Sequence, residues 1–306
     1  MHDLNDKAPE VDQLASGARS ARGANGEAVK NRKRSKWTVV LIVSVVVLIG
    51  SLTALGVIAF SYLQGQQKYD LLDQFVSDDV SGDAETSGGL AVDWDALLAI
   101  NPQTVAWVYM PNTSISYPVV QTDDNDYYLT HDFDEDQGWL ANYGSIFMDY
   151  RNNPNWNDGA YFIYGHHMKD GSMFADLAKL RLQERFDECR TMYLLSPRGN
   201  FKLHTFTLIH CAADDAIVQT TFETRDDMAA YVKDKEDRSI VYVDDMPAPG
   251  RVGKVFAFAT CDNILEGRYV LYAYVEKTTA DGLEGQIGLW EEDGQTGGFI
   301  DELQSE

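Results

Sequence analysis

Near its C-terminal end the chain reads VFAFATCDNILEGRYVLYAYV over residues 255–275. Two apolar, aromatic-rich runs flank a short polar insert, and Gly267 separates the insert from the second run. Each run has the length and composition of a buried β-strand, and a polar insert that ends in glycine is typical of a connection between strands. The sequence therefore predicts two neighbouring strands joined by a short loop.

A cysteine and an arginine lie at the two ends of this predicted loop. Cys261 ends the first strand and Arg268 opens the second. Neighbouring strands lie about 4.8 Å apart, so the two side chains are expected to reach one cleft. A nearby positive charge favours the thiolate form of a cysteine, which makes Cys261 a candidate nucleophile. A buried structural cysteine beside a surface arginine is the alternative interpretation of the same stretch.

The charge of the chain is strongly negative and unevenly distributed. The 306 residues carry a formal net charge of -23, which argues against nucleic acid as the main partner. Residues 1–36 contain eight basic and five acidic residues, whereas the remainder contains 17 basic and 43 acidic residues. A basic N-terminal segment followed by an acidic body indicates that the two parts lie in different compartments.

The chain contains three cysteines, too few for a disulfide-dense scaffold. Outside the cytosol an odd number leaves at least one thiol free or paired with another chain. Cys189 and Cys211 are the two besides Cys261, and nothing in their context demands a bridge between them. Two ordinary buried thiols are the simpler interpretation.

An apolar segment near the N-terminus predicts a membrane anchor. Residues 1–36 are rich in small, polar and charged residues, which predicts a disordered cytoplasmic segment. Residues 37–60 contain no charge, and a helix of this length spans a hydrocarbon core of about 30 Å. The basic cluster before it is expected to stay in the cytoplasm. A cleavable signal peptide is the alternative, but it has a shorter apolar core and a small-residue cleavage site. We therefore expect a single-pass protein whose domain lies outside the cell.

The rest of the chain divides into three predicted parts. Residues 61–91 are predicted to be an extracellular linker, because their second half is acidic and rich in glycine and serine. Residues 92–277 contain the strand-like runs and form the predicted folded domain. Residues 278–306 are acidic and glycine-rich with scattered apolar residues, which predicts a flexible tail.

Short strands dominate the predicted domain. β-branched and aromatic runs bounded by turn residues are typical of strands, and apolar residues at helical spacing indicate helices. Many short strands with few helices predict a mainly β fold, a mostly antiparallel barrel with helical decoration. Besides the two strands at 255–275, the predicted strands are 105–110, 115–120, 144–148, 159–164, 191–195, 202–212 and 239–243, and the helical segments are 94–100, 172–182 and 223–236.

A second informative stretch, YFIYGHHMKDGSMF, covers residues 161–174. It predicts a strand that ends in Gly-His-His and a turn into an amphipathic segment. A histidine at a strand end, together with a candidate nucleophilic cysteine, is the pair that thiol acyl transfer requires. A hydrogen-bonded surface histidine is the alternative. Two histidines also suggest metal, but a zinc site needs three or four ligands and no others have motif spacing, so we predict neither metal nor cofactor.

Three segments together resemble the sortases, the membrane-anchored cysteine transpeptidases of Gram-positive surfaces. The first runs from Trp107 to Asp149 and includes ISYPVVQ, NDYYL and GSIFMD. The second is YGHHMKDGSMF, and the third is ATC with Arg268 downstream. The second segment and the predicted helix before the cysteine are most similar to class B. The resemblance implies a closed sortase-like β-barrel with inserted and N-terminal helices, preceded by one transmembrane helix.

The resemblance also implies the catalytic residues. Cys261 corresponds to the nucleophile, His166 to the general acid/base and Arg268 to the residue that stabilises the oxyanion. The family's histidine directly follows the glycine, which favours His166 over His167. The chain departs from the family pattern at Phe258, where leucine is common, and in the short spacing between Cys261 and Arg268.

The implied reaction cleaves a C-terminal sorting signal of a secreted surface protein through a thioacyl intermediate. An amine of a cell-wall precursor or a pilin would then accept the acyl group. Two alternatives stay open: an extracellular cysteine hydrolase or protease of the same fold, and a non-catalytic membrane-tethered binding module. Neither the sorting motif nor the choice between wall anchoring and pilus assembly follows from the sequence.

Overall fold

The computed structural model describes residues 35–78, 84–135, 144–262 and 267–280. Its contacts divide the chain into two units, residues 1–54 and residues 55–306. The described part of the first unit is helical, and its apolar side chains are exposed; Trp37, for example, is 81% accessible. The predicted disordered segment 1–36 and flexible tail 278–306 lie almost wholly outside the described residues.

Six α-helices, ten strands and three short 3-10 helices make up the regular structure of the described residues. The helices are α1 (Lys36–Leu72), α2 (Ala84–Ser87), α3 (Trp94–Ile100), α4 (Ala175–Lys179), α5 (Gln183–Glu188) and α6 (Arg225–Asp237). The strands are β1 (Val76–Asp78), β2 (Leu90–Val92), β3 (Thr104–Tyr109), β4 (Ser116–Val120), β5 (Ile146–Met148), β6 (Ala160–Gly165), β7 (Thr191–Leu195), β8 (Phe201–Ala212), β9 (Val255–Asp262) and β10 (Gly267–Thr278).

Eight of the strands form a closed barrel in the order β10-β8-β7-β3-β4-β5-β6-β9. Neighbours are antiparallel except for the pairs β4–β5 and β6–β9, which are parallel. Closure pairs both edges of every barrel strand and so leaves no open sheet edge. The predicted mainly β, mostly antiparallel barrel is confirmed.

The barrel wall separates two apolar clusters because successive strand residues point to opposite faces. On β10, Leu271 and Ala273 belong to the larger cluster inside the barrel, whereas Val270 and Tyr272 belong to a smaller cluster on the outer face. Helix α6 covers this outer cluster with Met228, Tyr231 and Val232, the stripe predicted from helical spacing. Both faces of β10 are therefore buried, which explains its nearly continuous apolar sequence.

The predicted helices 94–100 and 223–236 are confirmed, and their ends follow from capping. The Asp93 side chain accepts a hydrogen bond from the backbone N–H of Ala96 and begins α3. Thr224 and Asp227 form a capping box that begins α6. The amphipathic segment 172–182 is helical only over α4, since Met173 has a positive φ of 56° that is incompatible with a helix.

Two predictions differ from the structure. Residues 239–243 form no strand: the Ile240 N–H donates to the Leu208 carbonyl, but the Ser239 hydroxyl bonds locally to the Val241 carbonyl. The segment 61–91 is not simply a linker. α1 continues to Leu72, β1 and β2 pair with each other, and Thr86 and Ser87 are buried. Packing against the domain buries Thr86 and Ser87 despite the polar, glycine-rich composition around them.

Candidate active site

The strand register brings the three predicted site residues to neighbouring positions. β6 and β9 are parallel, with Gly165 beside Thr260, so the residues that follow are His166 and Cys261. β9 and β10 are antiparallel, and Cys261 is the Cα partner of Arg268. Histidine, cysteine and arginine therefore occur in that order across three adjacent strands. Neighbouring strands lie about 4.8 Å apart, so the outer two of these three strands are about 9–10 Å apart.

Strand alternation assigns the same three positions to the outer face of the barrel. Ala257 and Ala259 on β9 belong to the outer cluster, and Cys261 follows at the next position of that period. Arg268 precedes Val270, another member of the outer cluster, by two residues. On β6, Phe162 belongs to this cluster and His166 lies four residues further along the same alternation. The candidate site thus lies where three strands end, on the face that α6 covers further along.

Gly165 allows the close packing at the end of β6. A Cβ atom at this position would lie 2.4 Å from Cδ1 of Ile146 and 2.8 Å from the ring of Phe174. Real Cβ atoms do not approach other atoms so closely, so β6 reaches this position only with glycine. The Phe174 N–H donates to the His166 carbonyl at 2.9 Å, which fixes the backbone immediately after the strand.

The imidazole of His166 is held by a backbone carbonyl. Its Nε2 lies 2.8 Å from the Leu129 carbonyl oxygen. Since a carbonyl only accepts hydrogen bonds, this contact requires a proton on Nε2. His167 is placed differently, because its backbone forms an isolated bridge with Met173.

The side chain of Arg268 lies between buried and exposed surroundings and carries a charge that reaches its neighbours. Its side chain is half-buried, and within the described residues it forms no hydrogen bond and no ion pair. Its charge acts on two neighbours, the Tyr164 hydroxyl and the Cys211 thiol. Burial raises the pKa of both groups, and the positive charge of Arg268 opposes that rise.

A buried carboxylate supports the outer face next to the site. Asp149 is fully buried, and both of its oxygens accept hydrogen bonds from Arg151 at 2.9 Å. The Tyr164 hydroxyl and the Asn125 amide donate to its Oδ2 at 2.9 and 3.0 Å. The backbone N–H of Arg151 also donates to Oδ1, at 3.0 Å. Burial alone would raise the pKa of Asp149, but these five bonds outweigh it and lower the pKa. The sequence stretches contain Asn125, Asp149 and Tyr164, yet nothing in their spacing indicated this network.

The other two cysteines are buried free thiols. Cys189 and Cys211 are 2% and 7% exposed. Cys211 and Cys261 are both Cα partners of Arg268, one on each side of β10. Two strand spacings separate their Cα atoms by about 9–10 Å, which exceeds the limit of about 7 Å for a disulfide. Within the described residues, no three His, Cys, Asp or Glu side chains are grouped to hold a metal ion.

Known structures share this fold. The crystal structure of sortase B from B. anthracis in complex with AAEK1 superposes with a TM-score of 0.59 and 28% sequence identity. The match covers 71% of this chain and 98% of that one. An eight-stranded closed barrel of this kind defines the sortase class of fold, with class B structures as its neighbours.

Sequence comparisons give the same result. The Sortase domain model matches residues 108–276, more than half of the chain. Sortase B of Listeria monocytogenes is 33% identical over 221 residues, which cover 69% of this chain and 88% of the relative. Sortase B of Staphylococcus aureus is 28% identical over 151 residues, or 49% and 61% of the two chains. The chain belongs to the sortase family, which confirms the resemblance drawn from its sequence and supports a transpeptidase activity.

Proposed function

We propose that this sortase cleaves a C-terminal sorting signal of a secreted surface protein and transfers the new carboxyl end to an amine. Cys261 is the nucleophile, His166 the general acid/base and Arg268 the oxyanion stabiliser. The amine belongs to a cell-wall precursor or to a pilin. The observation that carries the proposal is the register of β6, β9 and β10, which makes these three residues neighbours at one end of the barrel.

In the first half-reaction the Cys261 thiolate attacks the carbonyl carbon of the scissile peptide bond. A C–S bond forms, and the electron pair of the carbonyl moves onto oxygen. The C–N bond then breaks, and protonated His166 gives its proton to the leaving amine. The products are a thioester on Cys261, a neutral imidazole and the released C-terminal peptide.

The second half-reaction reverses these roles. The nitrogen of the incoming amine attacks the thioester carbon while neutral His166 accepts its proton. The C–S bond breaks, the thiolate of Cys261 is restored, and a new amide bond joins the surface protein to its acceptor. An imidazole serves both steps because its pKa normally lies close to neutrality.

Arg268 stabilises the negative oxygen that develops in both steps. A guanidinium presents several N–H donors in one plane, a geometry that suits an oxyanion. Removal of one oxyanion donor typically lowers the rate about 10²- to 10³-fold.

The N-terminal helix supports attachment to a membrane. Among the described residues, one helix is long and apolar enough to span a bilayer, with a mean hydropathy of 2.7 in its most apolar window. The proposed span is 37–60, with the N-terminus in the cytoplasm because of the basic residues before it. The catalytic domain is then outside the cell, where surface proteins emerge.

The test uses the full chain in detergent micelles and a library of sorting-signal peptides. Each peptide is incubated with and without an added amine, such as triglycine, and the products are measured by mass spectrometry. The expected result is an acyl adduct on Cys261 and an amine-linked product that form only when Cys261 is intact. Cys261→Ala serves as the matched control.

Two outcomes would contradict the proposal. An adduct that yields only the hydrolysed peptide, at every amine concentration, would make the chain a cysteine hydrolase. An amine-linked product that Cys261→Ala still forms would remove the cysteine from the mechanism.

A further inference from the structure

The end of helix α1 packs against the barrel domain and belongs to the same unit. Tyr69 and Leu72 are each only 9% exposed. The Tyr69 ring packs edge-to-face on Tyr117, with the ring centroids 5.7 Å apart and an interplanar angle of 82°. The buried side chains show that this part of α1 is an integral element of the domain.

One hydrogen bond and two ion pairs join this helix end to Gly144 and to residues 132–134. The Tyr69 hydroxyl donates to the Gly144 carbonyl at 2.5 Å. The preceding residue, Lys68, forms ion pairs with Asp132 at 3.3 Å and with Asp134 at 3.2 Å. Asp132 is only 5% exposed, so this ion pair is shielded from solvent on one side.

Gly144 in turn lies against the backbone that holds the His166 ring. It has a positive φ of 54°, and a Cβ atom there would lie 2.6 Å from the Tyr128 carbonyl oxygen and 2.9 Å from that of Leu129. The same Cβ would lie 3.0 Å from Cδ2 of His166. There is therefore no space for a side chain at residue 144 beside the imidazole and the carbonyl to which the imidazole is bonded, and the Gly144 backbone packs closely there.

The Leu129 carbonyl determines which nitrogen of His166 can exchange a proton. Its bond to Nε2, at 2.8 Å, keeps a proton on that atom. Nδ1 is then the nitrogen that accepts and releases the transferred proton. A shift of the Leu129 carbonyl would free the ring to rotate and to change tautomer.

We propose that Tyr69 is a positioning residue for His166, acting through Gly144 and the Leu129 carbonyl. The Tyr69 hydroxyl fixes Gly144, Gly144 fixes the Leu129 backbone by close contact, and the Leu129 carbonyl fixes the imidazole. This inference rests on the proposed role of His166 as the general acid/base. It extends the functional unit beyond residues 92–277 to the end of α1.

The test compares Tyr69→Phe with Tyr161→Phe in the full chain in detergent micelles. Both changes remove one buried tyrosine hydroxyl that donates to a backbone carbonyl, that of Gly144 or of Asn153. Tyr161 lies near the start of β6, at the opposite end of the strand from His166. The probe is iodoacetamide, and the rate of Cys261 alkylation is measured from pH 5 to pH 9 because it reports the thiolate and its imidazole partner.

Tyr69→Phe is expected to shift the pH midpoint of alkylation toward that of His166→Ala. The rate of acyl transfer at pH 7 is expected to fall about fivefold with little change in KM, the effect of losing one hydrogen bond. Tyr161→Phe should keep the wild-type midpoint although it loses similar stability. A Tyr69→Phe midpoint equal to the wild type, while His166→Ala shifts it, would overturn the positioning role alone.

An unchanged midpoint in His166→Ala itself would instead overturn the proposed function, so the two failures are distinguishable. Circular dichroism verifies that each variant folds. If Tyr69→Phe does not fold, Gly144→Ala replaces it, since its Cβ would lie 2.9 Å from the Leu129 carbonyl oxygen and 3.0 Å from Cδ2 of His166. The same shift is then expected from Gly144→Ala, and its absence would remove the link through Gly144 and overturn the proposal.

Discussion

Cys261 and Arg268 are Cα partners on the antiparallel strands β9 and β10. In the sequence they are separated by only seven positions, which is short for the family pattern. The register explains why this spacing is compatible with a shared site, because the two residues lie directly opposite each other on neighbouring strands. The short spacing, which departs from the family pattern, therefore does not place Cys261 and Arg268 apart. The catalytic roles of both residues stay predictions.

Alkylation should distinguish Cys261 from the other two cysteines. Burial raises the pKa of the Cys189 and Cys211 thiols and also shields both from reagents. Iodoacetamide at pH 7 is therefore expected to add one group to the native protein, at Cys261. Intact-mass measurement and peptide mapping detect the product.

The matched control for this prediction is Cys261→Ala, which should gain no group under the same conditions. After unfolding, the wild type should gain three groups and the variant two. Labelling of Cys189 or Cys211 in the native protein would contradict the burial of these thiols.

The two adjacent histidines should respond differently to substitution. His166→Ala is expected to lower kcat for acyl transfer by about 10²-fold or more, because general acid/base catalysis contributes about 10²- to 10⁴-fold. His167→Ala should have a mild effect, because its backbone bridges to Met173 beyond the strand end. Steady-state kinetics of the purified variants measures both effects, and an inactive His167→Ala with an active His166→Ala would reverse the assignment.

Arg268→Lys tests whether geometry or charge matters at this position. Lysine keeps the positive charge but lacks the planar set of donors that a guanidinium offers. We expect kcat to fall about 10²-fold with little change in KM, which corresponds to the loss of one oxyanion donor. An Arg268→Lys variant with wild-type kcat would show that charge alone suffices, and an Arg268→Met variant then measures the contribution of that charge.

The network around Asp149 should make stability depend on pH in the acid range. Burial alone would raise the pKa of Asp149, but the bonds from Arg151, Tyr164 and Asn125 outweigh it and lower the pKa below the usual value of 3.8. The unfolded chain therefore binds the proton first as pH falls. The stabilisation is complete above about pH 5 and is lost as pH falls through the lowered pKa.

Chemical denaturation from pH 7 to pH 3 measures this effect. At pH 7, Asp149→Asn is expected to cost about 2–3 kcal/mol, the value of hydrogen bonds to a buried charge. The difference from the wild type should shrink toward pH 3, because the unfolded chain takes up the proton there before the native carboxylate does. The control is Asp78→Asn at an exposed carboxylate, which should give a constant difference. Parallel curves for Asp149→Asn and the wild type would contradict the prediction.

Local pattern was sufficient for most elements of the barrel. The apolar runs around Cys261 became β9 and β10 because both faces of these strands are buried, and continuous apolar sequence records that directly. Helix α6 was predictable from the helical spacing of Met228, Tyr231 and Val232. The family resemblance followed from side-chain motifs, which the comparisons confirm.

Contacts between distant parts of the chain could not be predicted from the sequence. Residues 84–92 have the composition of a linker, but tertiary packing buries Thr86 and Ser87. The predicted strand at 239–243 is absent because only Ile240 bonds to β8, through the Leu208 carbonyl. Composition describes what a segment prefers in isolation, whereas these two outcomes depend on which partner surface is available.

The sequence by itself determined the strand and helix periodicities, the apolar N-terminal segment and the chemistry of His166, Cys261 and Arg268. These are properties of side chains and of their order, and both can be read along the chain. Only the tertiary structure decided that the three residues lie at the ends of adjacent strands. It alone also showed that the Leu129 carbonyl accepts a hydrogen bond from the His166 ring. Every residue carries the same backbone carbonyl, so its role depends on where the fold brings it.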